Sequence, residues 1–242
     1  MQFTSPLPLD AVIAAIQRRW GFKALHKAQN RYATPTNSLS TGYAALDLLL
    51  PPGGFPCGQI AELAGAATCG VNTLALKAVA QAQMRRHSAV YVDLDNGFDP
   101  DYAQQCGVDV AKLLVVRPRV PAQALEVALN LVHQGAGILV WDSVTSFLAT
   151  SDGERLLDRA LHRLTPLLAE SPCVALFLTR ITSRLYQNGA PALQHHAALR
   201  LRLQATHWHR QHDLITGYDV SARVLRNRFG PEGGCASFTV RL

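Results

Sequence analysis

The chain has 242 residues, 48% hydrophobic and 17% charged, which suits one large domain or a domain with a small appendage and argues against disorder. No apolar run reaches the roughly 18 to 20 residues of a membrane span. The start MQFTSPLPLD has neither the basic residues nor the apolar stretch of a signal peptide, so a cytoplasmic protein with no membrane partner is expected. A net charge of +6 admits a polyanionic partner such as nucleic acid. The five cysteines (Cys57, Cys69, Cys106, Cys173, Cys235) are odd in number and contain no C-x-x-C, which disfavours a disulfide framework or a structural zinc site.

At the N-terminus, Leu9, Val12, Ile13, Ile16 and Trp20 recur at helical spacing and predict an amphipathic helix with one apolar stripe. The polar stretch HKAQNRYATPTNSLS, residues 26–40, reads as a linker. Residues 1–39 are therefore expected to form a helix-and-linker docking element, and residues 40–242 the main body. From about residue 58, short apolar strands alternate with helical segments. The strands are predicted at Ile60–Leu63, Ala89–Asp93, Leu113–Val116, Ile138–Trp141 and Val174–Leu178, and the helices at 73–86, 100–106, 121–134 and 153–169. Apolar strands separated by helices predict an α/β fold with a mostly parallel sheet covered on both faces. After about residue 198 the pattern in LRLRLQ, DVSARVLRN and ASFTVRL alternates polar and apolar, which predicts antiparallel strands.

The stretch GAATCGVNT, residues 65–73, follows a strand and opens a helix. Gly65 and Gly70 keep the spacing of a phosphate-binding loop, but Val71 stands where that motif needs lysine and Asn72 where it needs the Mg²⁺-ligating Ser or Thr. Thr73 is the nearest hydroxyl. Two readings follow: a degenerate phosphate loop, or a turn whose glycines serve only the backbone. Asp142 ends the strand of GILVWDS and either holds Mg²⁺ through water or caps the next turn. Asp93 and Asp95 in YVDLDNGFDPDY either orient a water or solvate a loop. Cys69 is either a thiol activated at a helix N-terminus or a small buried side chain.

Taken together, these segments resemble the RecA family of recombinases. The likeness runs through STGYAALDLLLPPGGFPCGQIAELAG (40–65), TLALKAVAQAQ (73–83), VYVDLDNGFDPDYAQQCGVDVAKLLVVRP (90–118), QALEVALNLVHQGAGILVWDSV (123–144) and LDRALHRLTPLLAESPCVALFLTRI (157–181). It continues in ALQHHAALRLRL (192–203) and VLRNRFGP (224–231). The resemblance implies a RecA-type ATPase core with antiparallel strands at its C-terminal edge. It also implies that the N-terminal helix docks onto RecA, a RecA-like paralogue or another copy. The resemblance further leads one to expect no counterpart of the family's C-terminal domain after ASFTVRL.

The same resemblance locates the departures. The lysine of the phosphate loop corresponds to Val71, the water-activating glutamate to Asp95, the γ-phosphate-sensing glutamine to Arg180, and the lysine that reaches a neighbour's nucleotide to Gln194. The Mg²⁺-binding aspartate, Asp142, is retained. Phosphoryl transfer depends on positioning and charge, so these losses act together and imply a pseudo-ATPase. Gly65, Gly70, Asn72, Thr73 and Asp142 then form a vestigial nucleotide site, with no cofactor expected beyond weak ATP/Mg binding. The family's two DNA-binding loops correspond to short segments, which puts a filament grip on single-stranded DNA in doubt. Arg184, Arg200, Arg202, Arg210, Arg226 and Arg228, with Arg180 and Arg223, supply a basic surface, and Tyr186 and Trp208 supply stacking groups. This set is either a single-stranded DNA site or a solvated sheet face. His207, His209 and His212 in HWHRQH, with His195 and His196, lack accompanying cysteines or carboxylates, and no metal site is expected. The resemblance points to a trimmed, catalytically degenerate paralogue such as the ImuA-like accessory proteins of translesion synthesis, with a translesion polymerase complex among the expected partners. An active ATPase with an atypical site and a regulatory cap of RecA filaments are the alternatives.

Overall fold

A computed structural model describes residues 9–21, 37–181, 190–211 and 214–242. The chain divides into two compact units, Met1–Ala33 and Thr34–Leu242. In the first, α1 (Leu9–Trp20) is the helix that the apolar spacing predicts, and none of its residues is buried. Leu9, Val12 and Trp20 are exposed, Ile13 and Ile16 are half-buried, and the Arg19 guanidinium lies 5.0 Å from the centre of the Trp20 ring.

The second unit begins inside the stretch that reads as linker. There, β1 (Ser38–Leu39) pairs antiparallel with β2 (Phe55–Pro56), and α2 (Ala44–Leu49) lies between them. The main sheet is built from β3 (Ile60–Gly65), β4 (Ala89–Asp93), β5 (Leu113–Val116), β6 (Ile138–Asp142), β7 (Val174–Arg180), β8 (Leu199–Gln211), β9 (Leu214–Asn227) and β10 (Cys235–Arg241). Their order across the sheet is β10-β9-β8-β3-β7-β6-β4-β5. The strands from β5 to β8 pair parallel, and β9 and β10 add antiparallel. The predicted antiparallel edge is therefore present. Its first strand, β8, carries two partners of opposite sense, β3 on one side and β9 on the other.

The connecting helices are α3 (Val71–Met84), α4 (Pro100–Gln105), α5 (Pro121–His133), α6 (Val144–Leu148), α7 (Gly153–Ala169) and α8 (Pro191–His196). Strand periodicity divides the core into two layers. Val140 of β6 and Leu176 of β7 face a layer that includes Leu74 and Val79 of α3. Their chain neighbours Leu139, Trp141 and Phe177 face the opposite layer, with Leu129 of α5, Leu161 of α7 and Leu193 of α8. Burial on both faces is why these strands read as continuous apolar runs.

A charged pair is buried between β3 and β8. Glu62 of β3 is fully buried and accepts hydrogen bonds from the Thr179 hydroxyl, the Ala190 N–H and Arg200 Nε, each at 2.7 Å. Arg200 stands directly opposite Glu62 in the β3–β8 register and is itself buried. Its expected place on the basic surface is therefore corrected. Strand pairing turns this arginine inward as the counter-ion of a carboxylate that would otherwise be desolvated alone.

Candidate functional site

The C-terminal ends of the parallel strands converge where open α/β sheets place their ligands. Gly65 is opposite Arg180 across β3 and β7, and Asp142 is opposite Asp93 across β6 and β4. A cleft of about 370 Å³ opens here, lined by the loop from Gly65 to Thr73 and by Asp142, Arg180, Trp208 and Tyr218. The loop reaches α3 through left-handed backbone at Thr68 (φ 57°) and Gly70 (φ 89°). Gly70 offers no side-chain cap, so the first-turn N–H groups of α3 keep their positive end without a capping oxygen.

Gly65 is required by packing. A Cβ there would overlap the Cys69 sulfur and approach the Leu203 carbonyl oxygen to 2.9 Å. Cys69 is buried, and burial pushes its thiol above the ordinary range. Of the two readings of Cys69, the small buried side chain is the one its surroundings favour. Val71 is also buried and belongs to the core layer under α3. Asn72 is exposed and its Nδ2 lies 3.4 Å from Asp142 Oδ2. The Thr73 hydroxyl is paired with the Tyr102 hydroxyl at 2.6 Å. Tyr102 is positioned by the cap of α4, where the Asp99 carboxylate accepts from the N–H groups of Asp101 and Tyr102.

The carboxylates take different roles. Asp93 is buried and accepts from the N–H groups of Gly97 and Phe98 and from Arg117 Nε at 2.9 Å, so it folds the turn after β4. Asp95 accepts from the Ser143 hydroxyl at 3.2 Å and lies 3.8 Å from Arg180 Nη2. Asp142 accepts a 2.6 Å hydrogen bond from the Tyr91 hydroxyl. Its carboxyl is raised above the ordinary value first by burial, then by Asp95 and Asp93, against the lowering effects of the Tyr91 hydroxyl and Arg180.

That shift has a measurable consequence. A carboxyl whose folded pKa lies above its unfolded one binds more protons in the native state between the two values, so stability falls as pH rises through that window. At neutral pH the fold carries the full cost of the charge. Asp142→Asn keeps an oxygen to accept from Tyr91. It is expected to melt a few degrees above wild type at pH 7, with the advantage vanishing at pH values below the ordinary carboxylate range. Thermal melts across pH check this, and a variant that melts lower throughout contradicts it.

The other candidate residues are dispersed. Gln194 is on α8 and does not line the cleft. Arg202, Arg210 and Arg223 are exposed. Arg226 Nη1 donates to the Gln194 carbonyl, and Arg228 Nη2 donates to the His195 carbonyl at 3.3 Å. His209 Nε2 lies 3.0 Å from Asp219 Oδ1, and the His207 and His209 rings meet edge-on. Arg184, Tyr186 and His212 lie outside the described residues. Trp208 packs against Tyr218, with ring centroids 4.7 Å apart, on the wall of the cleft. Sequence reasoning missed Tyr91, Tyr102 and Tyr218. The spacing in DPDY, a cap followed by an aromatic residue one short turn later, is the signal available for Tyr102.

A mostly parallel sheet with a glycine loop feeding a helix at its strand ends defines a RecA-type α/β core. The comparisons with known proteins name the same group. The RecA N-terminal domain family matches residues 8–240. The chain is 33% identical to "Protein RecA" of Rhodospirillum centenum over 254 residues, covering 96% of this chain and 71% of that protein. It is 34% identical to "Protein RecA" of Acidiphilium cryptum over 245 residues, covering 92% and 71% respectively. "Protein RecA" of Corynebacterium efficiens is 33% identical, with 96% and 66% covered. The chain belongs to the RecA family. No helix among the described residues is long and apolar enough to cross a membrane.

Proposed function

We propose that this chain is a RecA-like accessory protein of DNA repair that acts by binding and has lost ATP hydrolysis. The carrying observation is the first turn of α3. Val71, at the position of the phosphate-loop lysine, is only 9% exposed and packs into the core. Next to it, Asn72 brings an amide toward Asp142 where the family brings a hydroxyl to Mg²⁺. These residues do not fit Mg-ATP. The lysine charge is gone, the nearest hydroxyl, Thr73, is engaged by Tyr102, and Arg180 is drawn toward Asp95. Losing several stabilisers that act as a unit removes useful turnover.

In this reading the apolar stripe of α1, exposed at Leu9, Val12 and Trp20, serves the partner. It docks onto RecA, a RecA-like paralogue or a second copy, as an ImuA-like protein would within a translesion polymerase complex. Capping of a RecA filament is the form that the reading takes when the partner is RecA itself. Exposed Arg202 and Arg210, with Arg228, are the cations offered to single-stranded DNA. The test is ATP turnover by the purified chain with and without single-stranded DNA, beside Asp142→Ala. Equal background rates are expected. A DNA-stimulated rate that falls in the variant instead establishes an active ATPase with an atypical site.

A further inference from the structure

Away from the cleft, on the opposite layer of the sheet, Asp158 and His162 of α7 and His196 of α8 bring their ligand atoms within 4.8 Å of one another. Asp158 and His162 are four residues apart and so share one face of α7. Asp158 Oδ1 lies 3.4 Å from His196 Nε2, and Asp158 Oδ2 lies 3.6 Å from His162 Nε2. Donors about 2.0–2.2 Å from a tetrahedral zinc stand roughly 3.3–3.6 Å apart. Each of the two separations matches one edge of such a tetrahedron, through a different oxygen of the same carboxylate, and the His162 and His196 ring centroids lie 4.6 Å apart.

A second observation concerns the His196 tautomer. The Thr165 hydroxyl lies 2.7 Å from the Leu161 carbonyl, to which it donates its one proton. Toward His196 Nδ1, 3.3 Å away, the same oxygen can only accept. The proton of a neutral His196 is therefore on Nδ1, and the Nε2 lone pair points at a carboxylate oxygen. His162 Nε2 approaches the same carboxylate. A lone pair aimed at an anion calls for a cation between them, and a hydroxyl holding the far ring nitrogen is the support that metal-binding histidines commonly have.

We infer that Asp158, His162 and His196 form a site for a divalent first-row transition metal of the zinc or cobalt type. The donor set of two imidazoles and one carboxylate suits these ions. His196 is nearly buried and anchors the site, whereas the His162 side chain is 70% exposed and leaves a fourth vertex to solvent. The ion ties α7 to α8, the short helix whose Gln194 and His195 carbonyls receive Arg226 and Arg228. This departs from the expectation of no metal, which grouped His195 and His196 with His207, His209 and His212.

The test is calorimetric titration of the chelator-stripped full chain with Zn²⁺ and with Co²⁺. One equivalent is expected to bind, with a melting temperature higher by roughly 5–10 °C at a hundredfold excess over Kd. His162→Ala, an exposed change that leaves the fold intact, and His196→Ala should each lose that equivalent. Thr165→Val should weaken binding about 10–100-fold and Thr165→Ser restore it. A His207→Ala, His209→Ala double variant should bind as wild type does. No binding by the wild type overturns the inference, as does an equivalent that survives His162→Ala. In either case the cluster is an imidazolium–carboxylate pair.

Discussion

Replacing Glu62 by alanine is expected to destabilise the fold by about 3–5 kcal/mol, the largest effect of any single polar substitution proposed for this protein. Glu62 is fully buried, and its two oxygens collect a hydroxyl, a backbone N–H and a guanidinium from three different elements. Removing the carboxylate takes away the charge that Arg200 Nε faces at 2.7 Å, in a site where that side chain is 9% exposed. The penalty belongs to the charge left behind, so taking both charges away should recover most of it. Glu62→Leu with Arg200→Met is expected to unfold at a urea concentration close to wild type, whereas Glu62→Ala unfolds far earlier. A single variant that loses less than about 1 kcal/mol would mean that water reaches the pair and screens it.

Restoring the missing chemistry is the second large effect. Val71→Lys with Asn72→Thr is expected to bind Mg-ATP about 10–100-fold more tightly than wild type, since one charge-assisted contact is worth about 1.5–3 kcal/mol. The lysine stem takes the volume of the valine while its ammonium reaches into the cleft. The new hydroxyl stands beside Asp142, where the amide now lies. Hydrolysis should stay at background, because Asp95 and Arg180 still face one another. Titration with a fluorescent ATP analogue reads the affinity. Unchanged binding would mean that the loop backbone no longer fits a triphosphate, and tight Mg²⁺-dependent binding by the wild type would undo the proposed loss of function.

The two charged pairs in these experiments differ in how far they could be read from the sequence. The strands of the central sheet were legible because burial on both faces makes them uniformly apolar, and Ala89–Asp93 falls where expected; the edge strand Leu113–Val116 is apolar in sequence although Leu114 and Val115 are exposed. The lone glutamate in IAELAG was visible too. Its partner was not, because Arg200 is 138 residues away in the chain and only the β3–β8 register joins them. The short helices α2, α6 and α8 were not legible because five or six residues hold too little periodicity to mark a face; α4, equally short, carries the Asp99 cap that α2 and α8 lack. At the cleft, the departures at Val71 and Asn72 were legible as residue types. The hydroxyl pairings of Thr73 with Tyr102 and of Tyr91 with Asp142 depend on strand order, which local pattern does not encode. The Asp158–His162–His196 cluster was hidden in the same way, divided between two helices.

The contact of Cys69 with Gly65 changes what natural variation this loop can tolerate. Ala66, Ala67 and Thr68 are exposed, and in this fold their identities are free to drift. Gly65, Cys69 and Val71 share one apolar space: a Cβ on the glycine would meet both the sulfur and, at 3.0 Å, a Val71 methyl. Growth at one of these positions demands shrinkage at another. If nucleotide binding is lost as proposed, this loop is policed by volume rather than by a ligand, and its descendants should covary in size rather than keep a signature.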